Sequence, residues 1–208
     1  MMVEETQLVA VRADSNVKSV ADLVSTLRKD VTALKIGVAP ALGSGTHLSI
    51  AKPLKVAGVD IKNLTIAPFK ASSETMGALL GGHIDVISAT APVIMPQVAA
   101  GKVRVLASAS PTRGTGPLAQ VPTWREQGVA ADFVTYNGIL LAPNMSNAQI
   151  AFWEDALRKV SQHPAWIALV EKNGGRPVFR DHTESLKYMV SEQKSINELV
   201  QEMGLGAK

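Results

Sequence analysis

The stretch from Leu34 to Lys102 constrains this chain more than any other. It opens with a strand-like run, Leu34-Lys-Ile-Gly-Val-Ala-Pro40, and passes into a loop of small residues, Gly43-Ser44-Gly45-Thr46-His47. A helix, a strand and a second helix follow, then the strand-like Ile84–Ala89 and a proline-marked turn into Pro92-Val93-Ile94-Met95-Pro96. Strands alternating with helical spacing predict a parallel sheet with helices on its faces. In such sheets small ligands bind where strands end and loops begin. The pattern therefore points to small-molecule binding before any catalytic residue has been identified.

The same reading extends outward. Gln7–Val11 reads as a strand, followed by a helix that Ser19 and Asp22 start as a capping box, with Val20, Leu23, Val24 and Leu27 on one face. A helix runs from the glycine loop to about Ala57, with Pro53 expected to kink it. Leu64–Phe69 is a strand. Ser72 or Ser73 is expected to cap the helix carrying Met76, Leu79 and Leu80, which Gly81-Gly82 ends. Val93–Ala99 is a short helix, Val103–Ala107 a strand, and Thr123–Gln127 a helical turn opened by Pro122. Phe133–Ala142 reads as one long extended run. Beyond Pro143 lies a helical tail: Ser146 and Gln149 form a capping box, Pro164 opens a second helix, Val178-Phe179 is a short strand, and Asp181 and Glu184 cap the last helix. Its wide apolar faces must bury against something. They predict self-association, with part of a second domain missing ahead of Met1.

Composition closes off several classes of function. Aromatic residues make up 4% and the formal net charge is +3 with no Lys/Arg run, a poor basis for nucleic-acid binding. No cysteine is present, which removes disulfides, thiolate zinc sites and cysteine nucleophiles together. The first residues, Met1-Met2-Val3-Glu4-Glu5, do not read as a secretory signal. His47, His83, His163 and His182 show no metal-ligand spacing, so no metal and no cofactor are expected.

The Gly43–His47 loop has two readings. One is an anion cradle built of backbone N–H groups at a helix start, with hydroxyl donors from Ser44 and Thr46. The other is a turn that needs glycine for its backbone. A dinucleotide fingerprint fails, because Leu48 stands at the third glycine position and Phe69-Lys70 replaces the acidic residue that would hold a ribose. Thr90 and Lys70 leave other strand ends and could meet the same ligand; both also read as an ordinary cap and a solvated lysine. A Ser44/His47/Asp85 triad lacks a nucleophile elbow. An enzyme is the last-ranked reading, and Trp153 and Trp166 read as core.

The ordered set Gly43–His47, Ala67-Pro-Phe-Lys70, Leu79-Leu-Gly-Gly-His-Ile-Asp-Val86, Gly101–Ala107, Val121-Pro-Thr-Trp-Arg-Glu-Gln-Gly128, Gly138–Pro143 and Met203-Gly-Leu205 resembles the receptors of tripartite tricarboxylate transporters, the Bug-type family. Ala148–Trp153 is similar to its tricarboxylate-receptor branch. The resemblance implies an α/β type II periplasmic-binding fold, with one complete lobe and the C-terminal part of the other. It places residues 1–12 as a crossing strand, 13–135 as the complete lobe, and 136–208 as the second crossing strand with helices of the other lobe. Leu8–Arg12 and Gly138–Ala142 would be the crossings. Gly43, Ser44, Gly45, Thr46, His47, Phe69, Lys70, Ala71, Ser72, Ala89 and Thr90 would line the cleft. The implied activity is non-catalytic: a periplasmic receptor for a citrate-like or dicarboxylate ligand, delivering it to integral membrane subunits. The rival reading is a cytosolic effector-binding or sensor domain of the same fold. Ala89, Phe69 and Ala71 depart from the family's polar residue, Tyr and Gly, and the first departure disfavours amino-acid ligands.

Overall fold

The computed structural model describes residues 1–206. The chain builds two sheets. The larger contains β2 (Gln7–Arg12), β3 (Lys35–Val38), β4 (Thr65–Pro68), β5 (Val86–Thr90) and β6 (Val103–Ser108), in the order β4-β3-β5-β2-β6. β3 runs parallel to β4 and β5, and β2 runs antiparallel to β5 and β6. The smaller sheet is β7-β1-β8, from Thr135–Asn137, Val3–Glu5 and Gly175–Pro177, with β1 antiparallel to both neighbours.

Strand alternation sorts the core onto two faces. Val9, Val11, Ile36, Val38 and Val86 point to one side, where α1 (Val20–Lys29) and α2 (Gly45–Val56) cover them. Leu8, Ala10, Ile87 and Ala89 point to the other, under α3 (Ser72–Leu80) and α4 (Ala91–Ala99). Every one of these strand residues is at most 1% exposed. Truncating one such Leu or Ile to Ala in a filled core costs about 2–5 kcal/mol.

Local chemistry sets the helix boundaries. Ser19 accepts the Asp22 N–H at 3.1 Å, while the Asp22 carboxylate reaches the Lys18 N–H at 2.9 Å, one residue beyond a capping box. α1 buries Val20, Leu23, Val24 and Leu27, the stripe its spacing predicts. α2 continues through Pro53 to Val56. α5 (Asn147–Gln162) and α7 (His182–Glu202) both start with complete capping boxes, at Ser146/Gln149 and Asp181/Glu184. α6 (Pro164–Lys172) begins at the proline, whose missing N–H costs nothing in the first turn.

Several expectations need correction. The first strand is preceded by β1, and the chain passes between the sheets at Thr6 rather than along an uninterrupted Leu8–Arg12 crossing. The extended run from Phe133 pairs only over Thr135–Asn137, so the second crossing lies ahead of Thr135 and Gly138–Ala142 belongs to no strand. The last short strand is Gly175–Pro177, because it is these residues that meet Glu5–Val3 in register. Ala71, not Ser72 or Ser73, occupies the N-cap of α3. Trp124 is fully buried, but Trp153 is 45% exposed: the apolar faces of α5 and α7 stay largely uncovered. The far end of α7 returns to the larger unit, where Leu199 and Met203 join the core beneath α2 and Lys55 pairs with Glu202 at 2.6 Å.

Candidate functional site

Because β3, β4 and β5 are parallel, the loops after Val38, Pro68 and Thr90 open on one edge of the larger sheet. α2, α3 and α4 start at that edge, with Ser44, Ala71 and Thr90 as N-caps, and none of the three makes a side-chain cap bond. Among the described residues the other four α-helices are all capped by side chains, from Ser19, Ser146, His163 and Asp181. An uncapped helix start presents N–H groups and the positive end of the helix dipole. The starts of α2 and α4 carry no acidic residue in their first turns and suit an oxygen anion, whereas Glu74 stands in the first turn of α3.

The glycine loop is fixed from within. Thr46 Oγ1 donates to the Ala39 carbonyl at 2.6 Å and accepts the Ala39 N–H at 3.2 Å. Ser44 Oγ donates to the same carbonyl at 3.2 Å and lies 3.1 Å from Thr46 Oγ1. The hydroxyls read from sequence as ligand donors thus hold the loop to Ala39. Gly43 has φ +76°, in the left-handed region that glycine enters freely. His47 Nδ1 accepts the Gly43 N–H at 3.0 Å, so the neutral ring carries its proton on Nε2, which is buried with no partner among the described residues. Burial holds the His47 pKa below the usual histidine range. The ring is 3% exposed and braces the loop from inside.

The remaining predicted residues divide. Lys70 and Ala71 are exposed at the lip, and Ser72 is half-buried in the first turn of α3. The Lys70 N–H donates to the Glu74 carboxylate at 3.2 Å, which places a negative charge at that helix start. Phe69 turns inward and packs on the core beneath α3 and α4. Ala89 is 1% exposed with its methyl in the same core, so it brings no side chain to the cleft. Thr90 is half-buried at the edge.

Two residues went unnoticed in the sequence. Gln7 lies opposite Thr90 in the β2–β5 ladder and is 2% exposed. Its Nε2 donates to Thr135 Oγ1 at 3.1 Å, and its Oε1 is buried with no partner among the described residues. Thr135 in turn sits against the glycine loop: a Cβ on Gly45 would lie 2.7 Å from its Cγ2. Gln7 and Thr135 therefore join the start of β2, the glycine loop and the returning strand in one cluster. The available signal was a polar residue leading an otherwise apolar strand.

Among the described residues no group of three His, Asp or Glu could hold a metal ion, and no helix is long and apolar enough to cross a membrane. An apolar concavity lies elsewhere, between the run after β7 and the helices α5 and α7. It holds about 1230 Å³ and is lined chiefly by apolar side chains.

Comparison with known proteins bears on the fold and the family. A Cupriavidus necator protein described as a UPF0065 protein in the gbd 5′ region is 26% identical over 196 residues, which cover 94% of this chain and 58% of that protein. The chain thus spans little more than half the length of that curated relative. An R. palustris protein solved with adipate superimposes with a TM-score of 0.83 at 23% identity, over 98% of this chain and 67% of that one. MatC from Rhodopseudomonas palustris, solved with bound malate, gives 0.72 at 18% identity, over 97% and 67%. These likenesses show the fold of the periplasmic binding proteins. The model of the tripartite tricarboxylate transporter family receptors matches residues 1–205. Those receptors bind solutes and are not enzymes, and this chain belongs to their family.

Proposed function

We propose that the chain is part of an extracytoplasmic receptor for a small organic carboxylate that feeds a tripartite tricarboxylate-type transporter. The observation that carries this reading is the pair of helix starts, α2 and α4, that lie on one sheet edge with no side-chain cap and no acidic residue in the first turn. A carboxylate accepts backbone N–H groups at such starts with no paired cation. Gly43–His47 supplies the fixed cradle, and Lys70 to Ser72 and Thr90 supply the flanking lip. The adipate and malate in two structures of the same fold support a dicarboxylate over an amino acid.

On this reading the complete lobe is built on the larger sheet and begins with β2 at Gln7, with the crossings at Thr6 and ahead of Thr135. The smaller sheet and the helices α5 and α6 belong to the C-terminal part of the other lobe. A ligand bridging two lobes favours the closed state, and the membrane subunits take their cargo from that state. A one-sided site forfeits most of the contacts a small ligand needs.

The test is a thermal-shift series with adipate, malate, citrate and aspartate. It is run on this chain and on the product of the gene with all of its upstream coding sequence. A shift with a dicarboxylate or tricarboxylate in the longer product, and none in the shorter, is the expected result. No shift in either overturns the reading.

A further inference from the structure

We infer that Thr135 and Gly174, both carried by the smaller sheet, are positioning residues for the carboxylate site, each bracing one of its two helix starts. The inference rests on the reading of α2 and α4 as the carboxylate-binding starts.

Two contacts carry it, one on each side of the larger sheet. On the α2 side, the Thr135 methyl rests on Gly45, the first residue of α2: a Cβ there would lie 2.7 Å from Thr135 Cγ2. Thr135 opens β7, so this methyl belongs to the smaller sheet. On the α4 side, the turn between α6 and β8 rests on Ala91, the first residue of α4. A Cβ on Gly174 would lie 2.6 Å from the Ala91 methyl and 3.1 Å from Leu118 Cδ1. Ala91 is 2% exposed and Leu118 3%. At both places a glycine lets one element rest directly on the backbone of another.

Both contacts are held from behind by one residue. Glu5 of β1 pairs with Thr135 on one side and with Gly175 on the other, immediately before the chain crosses at Thr6. The Thr135 hydroxyl accepts from Gln7 Nε2 at 3.1 Å and faces the Glu5 carbonyl at 3.3 Å, which sets the side chain with its methyl against Gly45. The Gly174 N–H donates to the Glu171 carbonyl at 2.9 Å, which closes the turn that bears on Ala91.

A site built of backbone donors gains affinity when those donors are fixed before the ligand arrives. Loose supporting contacts forfeit that gain. The smaller sheet thus holds the two starts in place relative to the crossings, and a movement of the crossings moves the starts.

The experiment is calorimetric titration with malate and with adipate, on the product of the gene with all of its upstream coding sequence. Thr135→Ser removes the methyl that touches Gly45 and keeps the hydroxyl. Ala91→Gly removes the methyl that Gly174 packs on. Each should weaken the binding of whichever acid the parent takes by about tenfold. Thr135→Val keeps the methyl and loses the hydroxyl. It should be the less stable of the two Thr135 variants in urea, yet bind more tightly than Thr135→Ser. A merely structural role would rank affinity with stability. Thr135→Ser binding at least as tightly as Thr135→Val overturns the inference, and so does parent affinity in Ala91→Gly. A parent that binds neither these acids nor citrate overturns the carboxylate reading itself, and the inference falls with it.

Discussion

The Gln7 amide donates to the Thr135 hydroxyl at 3.1 Å, tying the strand that enters the larger sheet to the strand that leaves it for the smaller one. The two residues lie 128 positions apart in sequence. Thr135 also faces the Glu5 carbonyl at 3.3 Å, so one hydroxyl serves both crossings. Replacing Thr135 with Val keeps the volume and removes the hydroxyl. It leaves Gln7, 2% exposed, with neither end of its amide bonded. An unsatisfied buried donor costs about 1–3 kcal/mol. Urea unfolding of Thr135→Val should show that loss, with Thr135→Ser close to the parent. Equal stability of the Val and Ser variants would remove the hydroxyl from any structural role.

What the sequence disclosed and what it hid follow the range of the interactions. Local signals were legible: the Ser146/Gln149 and Asp181/Glu184 boxes, the α1 stripe and the glycine ends are decided within a turn or two of chain. The parallel strands and their loops followed from periodicity, and so did the sheet edge on which those loops gather. Pairing was not legible. Residues 133–142 look uniformly extended, yet only Thr135–Asn137 pairs in a strand ladder, because β1 is three residues long. The roles of His47, Phe69 and Ala89 also depend on which face the fold turns inward. His47 and Ala89 are inside and Phe69 partly so, which spacing alone could not reveal.

His47 should make the chain acid-sensitive. Burial lowers its pKa in the fold from the 6.5 of the free side chain. As pH falls below that value the unfolded chain takes up the proton first, so stability rises with pH in this window and falls on acidification. Protonation also converts Nδ1 from acceptor to donor and breaks the bond from the Gly43 N–H. His47→Asn retains an acceptor and has no charge to gain. The parent should lose more stability between pH 7 and about pH 5 than His47→Asn does, by thermal melts in matched buffers. Parallel pH profiles would show that the ring does not titrate with folding.

Glu4 predicts a different kind of dependence. Its carboxylate is 5% exposed and receives the Arg176 guanidinium from the neighbouring strand β8, with the Tyr136 hydroxyl at 3.4 Å from β7. One side chain therefore links all three strands of the smaller sheet. Arg176 is 60% exposed, so solvent screens the pair from its side. The larger loss is the buried oxygen's hydrogen bonds. Glu4→Ala should cost about 1–3 kcal/mol. Arg176→Ala should cost more than a typical exposed ion pair, because it leaves the Glu4 carboxylate buried without its cation. If raising the salt concentration abolishes the difference between parent and Arg176→Ala, the pair is a screened surface contact and the buried oxygen has found water.

Gly43 and Gly45 stand two residues apart for different reasons, and a pair of substitutions separates them. A Cβ on Gly43 would meet nothing within 4 Å, but φ is +76°, so Gly43→Ala carries a purely conformational cost of about 1–2 kcal/mol. Gly45 has no such φ. Its obstacle is the Thr135 methyl, 2.7 Å from the position a Cβ would take, and overpacking of this kind costs about 1–3 kcal/mol. Thr135→Ser removes that methyl and keeps the hydroxyl that Gln7 needs. The Gly45→Ala/Thr135→Ser double variant should therefore recover most of the stability lost by Gly45→Ala. The Gly43→Ala/Thr135→Ser double variant should recover none. A double-mutant cycle on urea midpoints reads the coupling directly. Coupling near zero at Gly45 would mean that the glycine loop and the returning strand can move apart freely, and that Thr135 does not hold the cradle to the crossing.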